Sequence, residues 1–198
     1  MSSEPLTRRM LLLFAGAGSG KTKVLTHKIA YLMGEVGVKP WDILAITFTN
    51  KAANEMKSRV ESLVGDMVKD MWIGTFHSIC VRILRKQIDR IGFDTSFIIF
   101  DTSDQKTLIK QCMKELEIDD KLLNDRAIAA EAVKAKGDFR KEIIAEIYES
   151  YQTKLKENNA IDFDDIINFT IKILLDNPDL LEYYSGKFKY VLVDEYQD

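Results

Sequence analysis

Apolar positions along this chain alternate between two spacings. Residues 10–15 form a continuous apolar run of strand length that ends in a glycine-rich turn. Over residues 21–36, Val24, Leu25, Ile29, Leu32 and Met33 recur at helical spacing, and Pro40 closes the segment. Residues 43–48 predict a second strand. Asn50 is expected to cap a helix running to about residue 64, with Ala53, Met56, Val60 and Leu63 on one face. A short strand follows at 71–74, then a helix over 75–91 with Phe76, Ile79, Cys80, Ile83, Leu84 and Ile91 on its apolar stripe. Residues 97–100 predict a further strand.

Strands and helices in alternation indicate an α/β fold with a parallel, doubly wound sheet. After residue 101 the pattern changes. Residues 103–159 read as helix throughout, charged and without strand signals. A helix over 163–175 follows, Pro178 interrupts, and an apolar strand at 190–193 ends in Asp194-Glu195. The expected organisation is one α/β domain from 1–101 and 161–198, interrupted by an all-helical insert at 102–160. No internal repeat or low-complexity tract is present.

Composition adds little to this and charge adds something. Of 198 residues, 46% are hydrophobic and 30% charged, as in an ordinary globular protein. The net charge is −3, but residues 23–60 hold six Lys/Arg against three Asp/Glu, and residues 75–92 hold four against one. A local basic face binds phosphate even when the total is acidic. Cys80 and Cys112 have neither metal nor disulfide spacing, and fall on apolar helix positions, so buried free thiols are expected. His27 and His77 have too little help nearby to build a metal site. Thr7-Arg8-Arg9 before the first apolar run mimics a targeting signal, but the run is too short for one. No stretch has the length of a membrane span, and a cytoplasmic location is expected.

The candidate chemistry lies at two strand ends. Ala15-Gly16-Ala17-Gly18-Ser19-Gly20-Lys21-Thr22 follows a strand and opens a helix, the context a phosphate-binding loop requires. Glycines let backbone N–H groups turn toward phosphate oxygens, and the helix adds its positive dipole end. Lys21 supplies a cation for the β- and γ-phosphates of ATP. The Thr22 hydroxyl suits Mg²⁺, and Lys23, next in the chain, is expected near the nucleotide. At the end of the last strand, Asp194 is expected to hold the Mg²⁺ and Glu195 to orient and deprotonate the attacking water. Lys21, Asp194 and Glu195 are thus the expected catalytic set.

Further segments narrow the class. Ile43-Leu44-Ala45-Ile46-Thr47-Phe48-Thr49-Asn50-Lys51-Ala52-Ala53 with Met56, Gly74-Thr75-Phe76-His77-Ser78 with Arg82 and Arg85, Ile161-Asp162-Phe163-Asp164-Asp165-Ile166, and Asp194-Glu195-Tyr196-Gln197-Asp198 occur in this order after the phosphate loop. Together they resemble motifs Ia and Ib, the short acidic motif and the DExQD motif II of UvrD/Rep/PcrA-type superfamily 1 DNA helicases. The resemblance runs from about residue 10 to the last.

It implies a RecA-like ATP-binding domain, a helical insert in the place of the family's 1B subdomain, and coupling of ATP hydrolysis to translocation on single-stranded DNA and duplex unwinding. It implies contacts to single-stranded DNA and single-strand/duplex junctions through Phe48, Thr49, Asn50, Thr75, Phe76 and His77, with Phe48 against a base. By its own place on an apolar helix stripe, Phe76 reads as more core than contact. The resemblance leaves oligomeric state open. Two departures stand out. Residues 1–10 do not match the family's upstream glutamine motif, and Lys23 stands where members carry Arg. The sequence stops within motif II, so the isolated chain is expected to bind nucleotide without unwinding DNA. The competing readings are a different P-loop enzyme, which would not be expected to carry the Thr-Phe-Thr-Asn and Thr-Phe-His-Ser segments, and a non-catalytic nucleotide- and DNA-binding module.

Overall fold

The computed structural model describes residues 9–12, 20–118 and 133–194, with backbone only for residues 9–12, 21 and 133–141. In chain order the elements are β1 (Arg9–Leu12), α1 (Lys21–Gly34), β2 (Ile43–Thr47), α2 (Asn50–Val64), β3 (Trp72–Thr75), α3 (Phe76–Gln87), β4 (Ile98–Ile99), α4 (Thr102–Glu115), α5 (Val133–Glu157), β5 (Ala160–Ile161), α6 (Phe163–Asp176), α7 (Pro178–Lys187) and β6 (Tyr190–Val193). Short 3-10 segments lie at Pro40–Asp42, Gly65–Asp70 and Ile88–Ile91. The chain divides into two compact units, Met1–Lys86 with Ile167–Asp198, and Gln87–Ile166.

The first unit is an α/β layer structure on a parallel sheet of order β1-β6-β2-β3. Every residue of β2 is buried, as a central strand covered on both faces requires. On one face Ala45 and Leu192 pack with Leu25 and Ile29 of α1 and Met56 and Val60 of α2. On the other, Leu44, Ile46 and Trp72 pack with Ile79 and Ile83 of α3 and Tyr184 and Phe188 at the end of α7. The strand β6 is last in sequence yet lies between β1 and β2, with Val191 level with both Met10 and Leu44. That insertion brings the two chemically marked strand ends side by side.

Three local expectations are corrected. Thr49, not Asn50, caps α2: its backbone is extended and its hydroxyl accepts the Ala52 N–H at 3.1 Å. A hydroxyl one residue before the first helical turn reaches that N–H, whereas Asn50 is already helical. Pro178 does not merely interrupt; it opens α7, because its fixed φ suits a first helical position and its missing N–H would have no partner there anyway. The helix predicted over 75–91 ends at Gln87, continues as a 3-10 turn, and stops at Gly92 in the left-handed region (φ 83°).

The second unit is mostly helical. Leu108 and Cys112 of α4 pack against Tyr151 and Leu155 of α5 and Ala160 of β5. The strand expected at 97–100 does not join the main sheet. It shortens to β4 and pairs in parallel with β5, the Ile98 N–H donating to Asn159 O at 3.0 Å and the Phe100 N–H to Ile161 O at 2.9 Å. A two-residue strand is too short to stand out by periodicity, which is why β5 had no visible signal. The ladder draws residues before 102 and after 160 into this unit. Among its described residues, none between 103 and 159 is strand; residues 119–132 lie outside the described part.

Within this unit the acidic segment at the start of α6 is a structural device. The Asp165 N–H donates to Asp162 Oδ1 at 2.9 Å and the Asp162 N–H donates to Asp165 Oδ2 at 3.3 Å, a reciprocal cap. Tyr151 Oη donates to Asp162 Oδ2 at 3.0 Å and Gln152 Nε2 to Asp165 Oδ1 at 3.3 Å, tying α5 to the cap. Burial pushes the Asp165 carboxyl up to about 6, against the lowering effect of the Asp162 N–H.

A carboxyl raised in the folded state favours folding fully below its ordinary value near 4 and loses that contribution as pH rises through about 6. Urea unfolding of wild type and Asp165→Asn is therefore expected to show the asparagine variant gaining about 1–2 kcal/mol on wild type between pH 4 and 7.5. A difference independent of pH would mean that Asp165 ionises normally.

Candidate functional site

The marked residues gather at the C-terminal edge of the parallel sheet, where ligands bind in open α/β sheets. Gly20 precedes α1 at φ 81°, with no side chain capping the helix. A Cβ at Gly20 would meet open space, so the requirement for glycine is conformational. The first N–H groups of α1, which Gly20 cannot cap with a side chain, suit an incoming acceptor. Lys21 opens this helix. Ala15, Gly16, Ala17, Gly18 and Ser19 lie outside the described residues, as does Glu195.

Thr22 and Asp194, 172 positions apart, meet directly: Thr22 Oγ1 donates to Asp194 Oδ2 at 2.8 Å. The Asp194 N–H donates to Ile46 O at 2.8 Å, which carries the β6 pairing one residue past the strand. Asp194 is buried, and its Oδ1 has no hydrogen-bond partner among the described residues. A buried carboxylate with an unmatched oxygen is costly unless a cation or donor meets it. The donor set is a hydroxyl and a carboxylate, both hard oxygens, which suits Mg²⁺ and its habit of taking few protein ligands beside water and phosphate. Among the described residues there is no group of three or more His, Cys, Asp or Glu arranged to hold a metal ion.

Beside this point the edge becomes aromatic. Thr47 pairs in register with Thr75, and the residue after each is exposed: Phe48 at 64% and Phe76 at 44%. Two exposed phenylalanines therefore follow neighbouring strand ends at the rim. Phe76, expected to lean toward the core, is therefore exposed. Thr49 and Asn50 are exposed beside Phe48, with the Thr49 hydroxyl engaged in capping. Thr75 is buried and its hydroxyl accepts the Ser78 N–H at 3.2 Å, so it holds the start of α3. Gly74 allows that arrangement: a Cβ there would collide with Ser78 Oγ, which donates to Thr75 O at 2.9 Å. His77 is half-buried and Lys23 exposed.

Further along α3, the Arg82 guanidinium lies 3.8 Å from the Trp72 ring centre, and burial lowers its pKa from the usual value. Arg82 is thus a packing residue as well as a surface cation. Cys80 and Cys112 are free thiols; Cys112 is buried, and Cys80 is half-buried with its thiol pushed up by burial. One residue of the edge was missed from sequence: Thr47, buried with its hydroxyl unpartnered among the described residues. A threonine ending an apolar strand just before an exposed phenylalanine was the available signal.

The family model for the UvrD/REP helicase N-terminal domain matches residues 2–198. The chain belongs to that family. Among its relatives, ATP-dependent DNA helicase PcrA of Bacillus subtilis (strain 168) is 52% identical over 201 residues, covering 95% of this chain and 27% of that protein. The PcrA helicase of Staphylococcus aureus (strain Mu50) is 50% identical over 205 residues, covering 97% of this chain and 28% of its own length. The UvrD/REP domain described here therefore spans little more than a quarter of these relatives. Among its described residues no helix is long and apolar enough to cross a membrane.

Proposed function

We propose that this UvrD/REP domain is the nucleotide-binding part of a motor that couples ATP hydrolysis to movement along single-stranded DNA and to duplex unwinding. The observation that carries this reading is the contact between Thr22 and Asp194, with Asp194 Oδ1 unmatched, one strand away from exposed Phe48. The relatives' names, ATP-dependent DNA helicase, support the same assignment. On this reading the first unit is a RecA-like domain and the second stands in the place of the 1B insert, its ends set by the β4–β5 ladder.

Each residue then has a task. Backbone N–H groups at the start of α1, after Gly16, Gly18 and Gly20, bind phosphate oxygens, and Lys21 neutralises the terminal phosphates. Thr22 and Asp194 hold Mg²⁺, which when bound offsets charge on the phosphate oxygens. Glu195 follows Asp194 in the chain and orients the attacking water. Phe48 and Phe76 offer ring faces to bases, a sequence-tolerant contact that contributes about 1–3 kcal/mol per base. Asn50, Thr49 and His77 supply polar contacts to the strand, and Thr75 acts by holding the start of α3 rather than by touching DNA.

Hydrolysis in motors of this class needs cationic groups facing the γ-phosphate, a contribution worth roughly 10³–10⁵ in rate. Among the assigned residues only Lys21 is such a group. These 198 residues by themselves are therefore expected to bind nucleotide and single-stranded DNA with little turnover. A binding module without catalysis is the second reading; residual ATPase that DNA stimulates and Glu195→Gln abolishes would mark the motor part, and its complete absence would mark the module.

The test is fluorescence anisotropy with labelled oligo-dT beside titration of Mg²⁺-ADP. Phe48→Ala and Phe76→Ala are each expected to weaken DNA binding about 5- to 100-fold without changing nucleotide affinity. Lys21→Ala is expected to do the reverse. Wild-type DNA affinity should fall with salt, as phosphate contacts require. Equal DNA affinity in wild type and both phenylalanine variants would refute the DNA track.

A further inference from the structure

Two buried side-chain oxygens lack a hydrogen-bond partner among the described residues, Thr47 Oγ1 and Asp194 Oδ1. The sheet register sets them level. Ile46 pairs with Val193, and the Asp194 N–H bonds Ile46 O, so Thr47 and Asp194 are the next residues on neighbouring strands. They also share a face. Ala45 and Leu192, two positions earlier on each strand, both pack against α1 and α2, and side chains two apart on a strand point the same way. The hydrogen bond from Thr22 of α1 confirms that face for Asp194. Thr47 is 0% exposed and Asp194 3%.

Valine has nearly the shape of threonine, suits a buried strand as well, and would leave no hydroxyl to satisfy. Among the described residues a hydroxyl at position 47 is therefore a cost to folding, which a bound ligand would offset. The two oxygens do not bond each other, and a donor placed between them can serve both. A water on a metal ion is such a donor: its lone pair faces the ion and its two hydrogens remain for two acceptors. Mg²⁺ usually keeps several waters when held by few protein oxygens.

We propose that Thr47 is a positioning residue of the nucleotide site, its hydroxyl and Asp194 Oδ1 together accepting from one water of the magnesium shell. This rests on the magnesium–nucleotide reading of Thr22 and Asp194 given above. Thr47 thereby contributes to metal-dependent nucleotide binding without touching the nucleotide, and it does so from the residue immediately before the exposed ring of Phe48.

The test uses the 198-residue chain, titrated with ADP in Mg²⁺ and in EDTA, with thermal melts in the absence of ligand. Thr47→Val is expected to keep or raise the melting temperature, to leave affinity in EDTA unchanged, and to lose about tenfold in affinity in Mg²⁺. Thr47→Ser, which keeps the hydroxyl, is expected to retain the magnesium effect. If valine lowers the melting temperature, Thr47→Ala must show the same split between Mg²⁺ and EDTA. Equal losses in both conditions, or none in either, would overturn the role of Thr47. A wild-type chain whose affinity is the same in Mg²⁺ and in EDTA would instead remove the site reading beneath it, and the proposal with it.

Discussion

Asp194→Asn is expected to lower affinity for Mg²⁺-nucleotide about 10- to 100-fold and, at the same time, to stabilise the unliganded protein. The two effects have one cause. Asp194 is buried, takes one hydrogen bond from Thr22 Oγ1 and one of its oxygens is unmatched. A carboxylate in that setting is costly in the empty protein, because its desolvation is only partly offset. Asparagine keeps an oxygen for the Thr22 hydroxyl and removes the charge, so a gain of about 1 kcal/mol is expected in the empty state. The same charge is what a cation needs, and hydrogen bonds and contacts that involve an ionised group contribute about 1.5–3 kcal/mol, the affinity range given above. Calorimetric titration with Mg²⁺-ADP and a thermal melt without ligand measure both halves. An asparagine variant less stable than wild type, with unchanged affinity, would make Asp194 a structural residue.

Trp72→Ala is expected to cost about 3–5 kcal/mol, a large share of the roughly 5–15 kcal/mol that usually holds a domain folded. Trp72 is 3% exposed at the start of β3. Its ring meets Phe188 edge-on with centres 5.1 Å apart and Tyr184 at 6.4 Å, and Arg82 covers it at 3.8 Å. Removing it opens a large cavity between the sheet, α3 and α7 and leaves Arg82 without its stacking partner. The consequence reaches the site, because β3 carries Thr75, Gly74 and the turn into α3 that presents Phe76. Trp72→Phe keeps an aromatic body in the gap and should cost less, about 1–2 kcal/mol. Circular dichroism during urea unfolding reads the difference. An alanine variant within 1 kcal/mol of wild type would mean that the neighbouring rings collapse into the space, against the close packing of protein interiors.

How far the sequence reaches can be judged residue by residue. It determined the strands at 43–47, 72–75 and 190–193 closely, because a parallel sheet covered on both faces writes itself as short continuous apolar runs. It determined α1, α2 and α6 for the same kind of reason, their apolar faces recurring at helical spacing. It also determined the family, since the phosphate loop, Thr-Phe-Thr-Asn, Thr-Phe-His-Ser and the acidic strand end are local strings whose order survives without any three-dimensional information.

Strand order lies outside that reach. Nothing in 190–193 says that it inserts between β1 and β2, and only that insertion puts Asp194 within 2.8 Å of Thr22 and level with Thr47. The tertiary structure alone decided that Phe97–Phe100 would pair with Ala160–Ile161 in a sheet of its own, because two-residue strands carry no periodicity and are held by the packing around them. It decided as well which polar groups are occupied and which are free. Thr49 and Thr75 look alike in sequence to Thr47, yet the first two cap helices while the third is buried with its hydroxyl unmatched among the described residues. Side-chain chemistry is written in the sequence, but whether a hydroxyl has a partner depends on the strand beside it, and strand neighbours are set by burial summed over the whole unit.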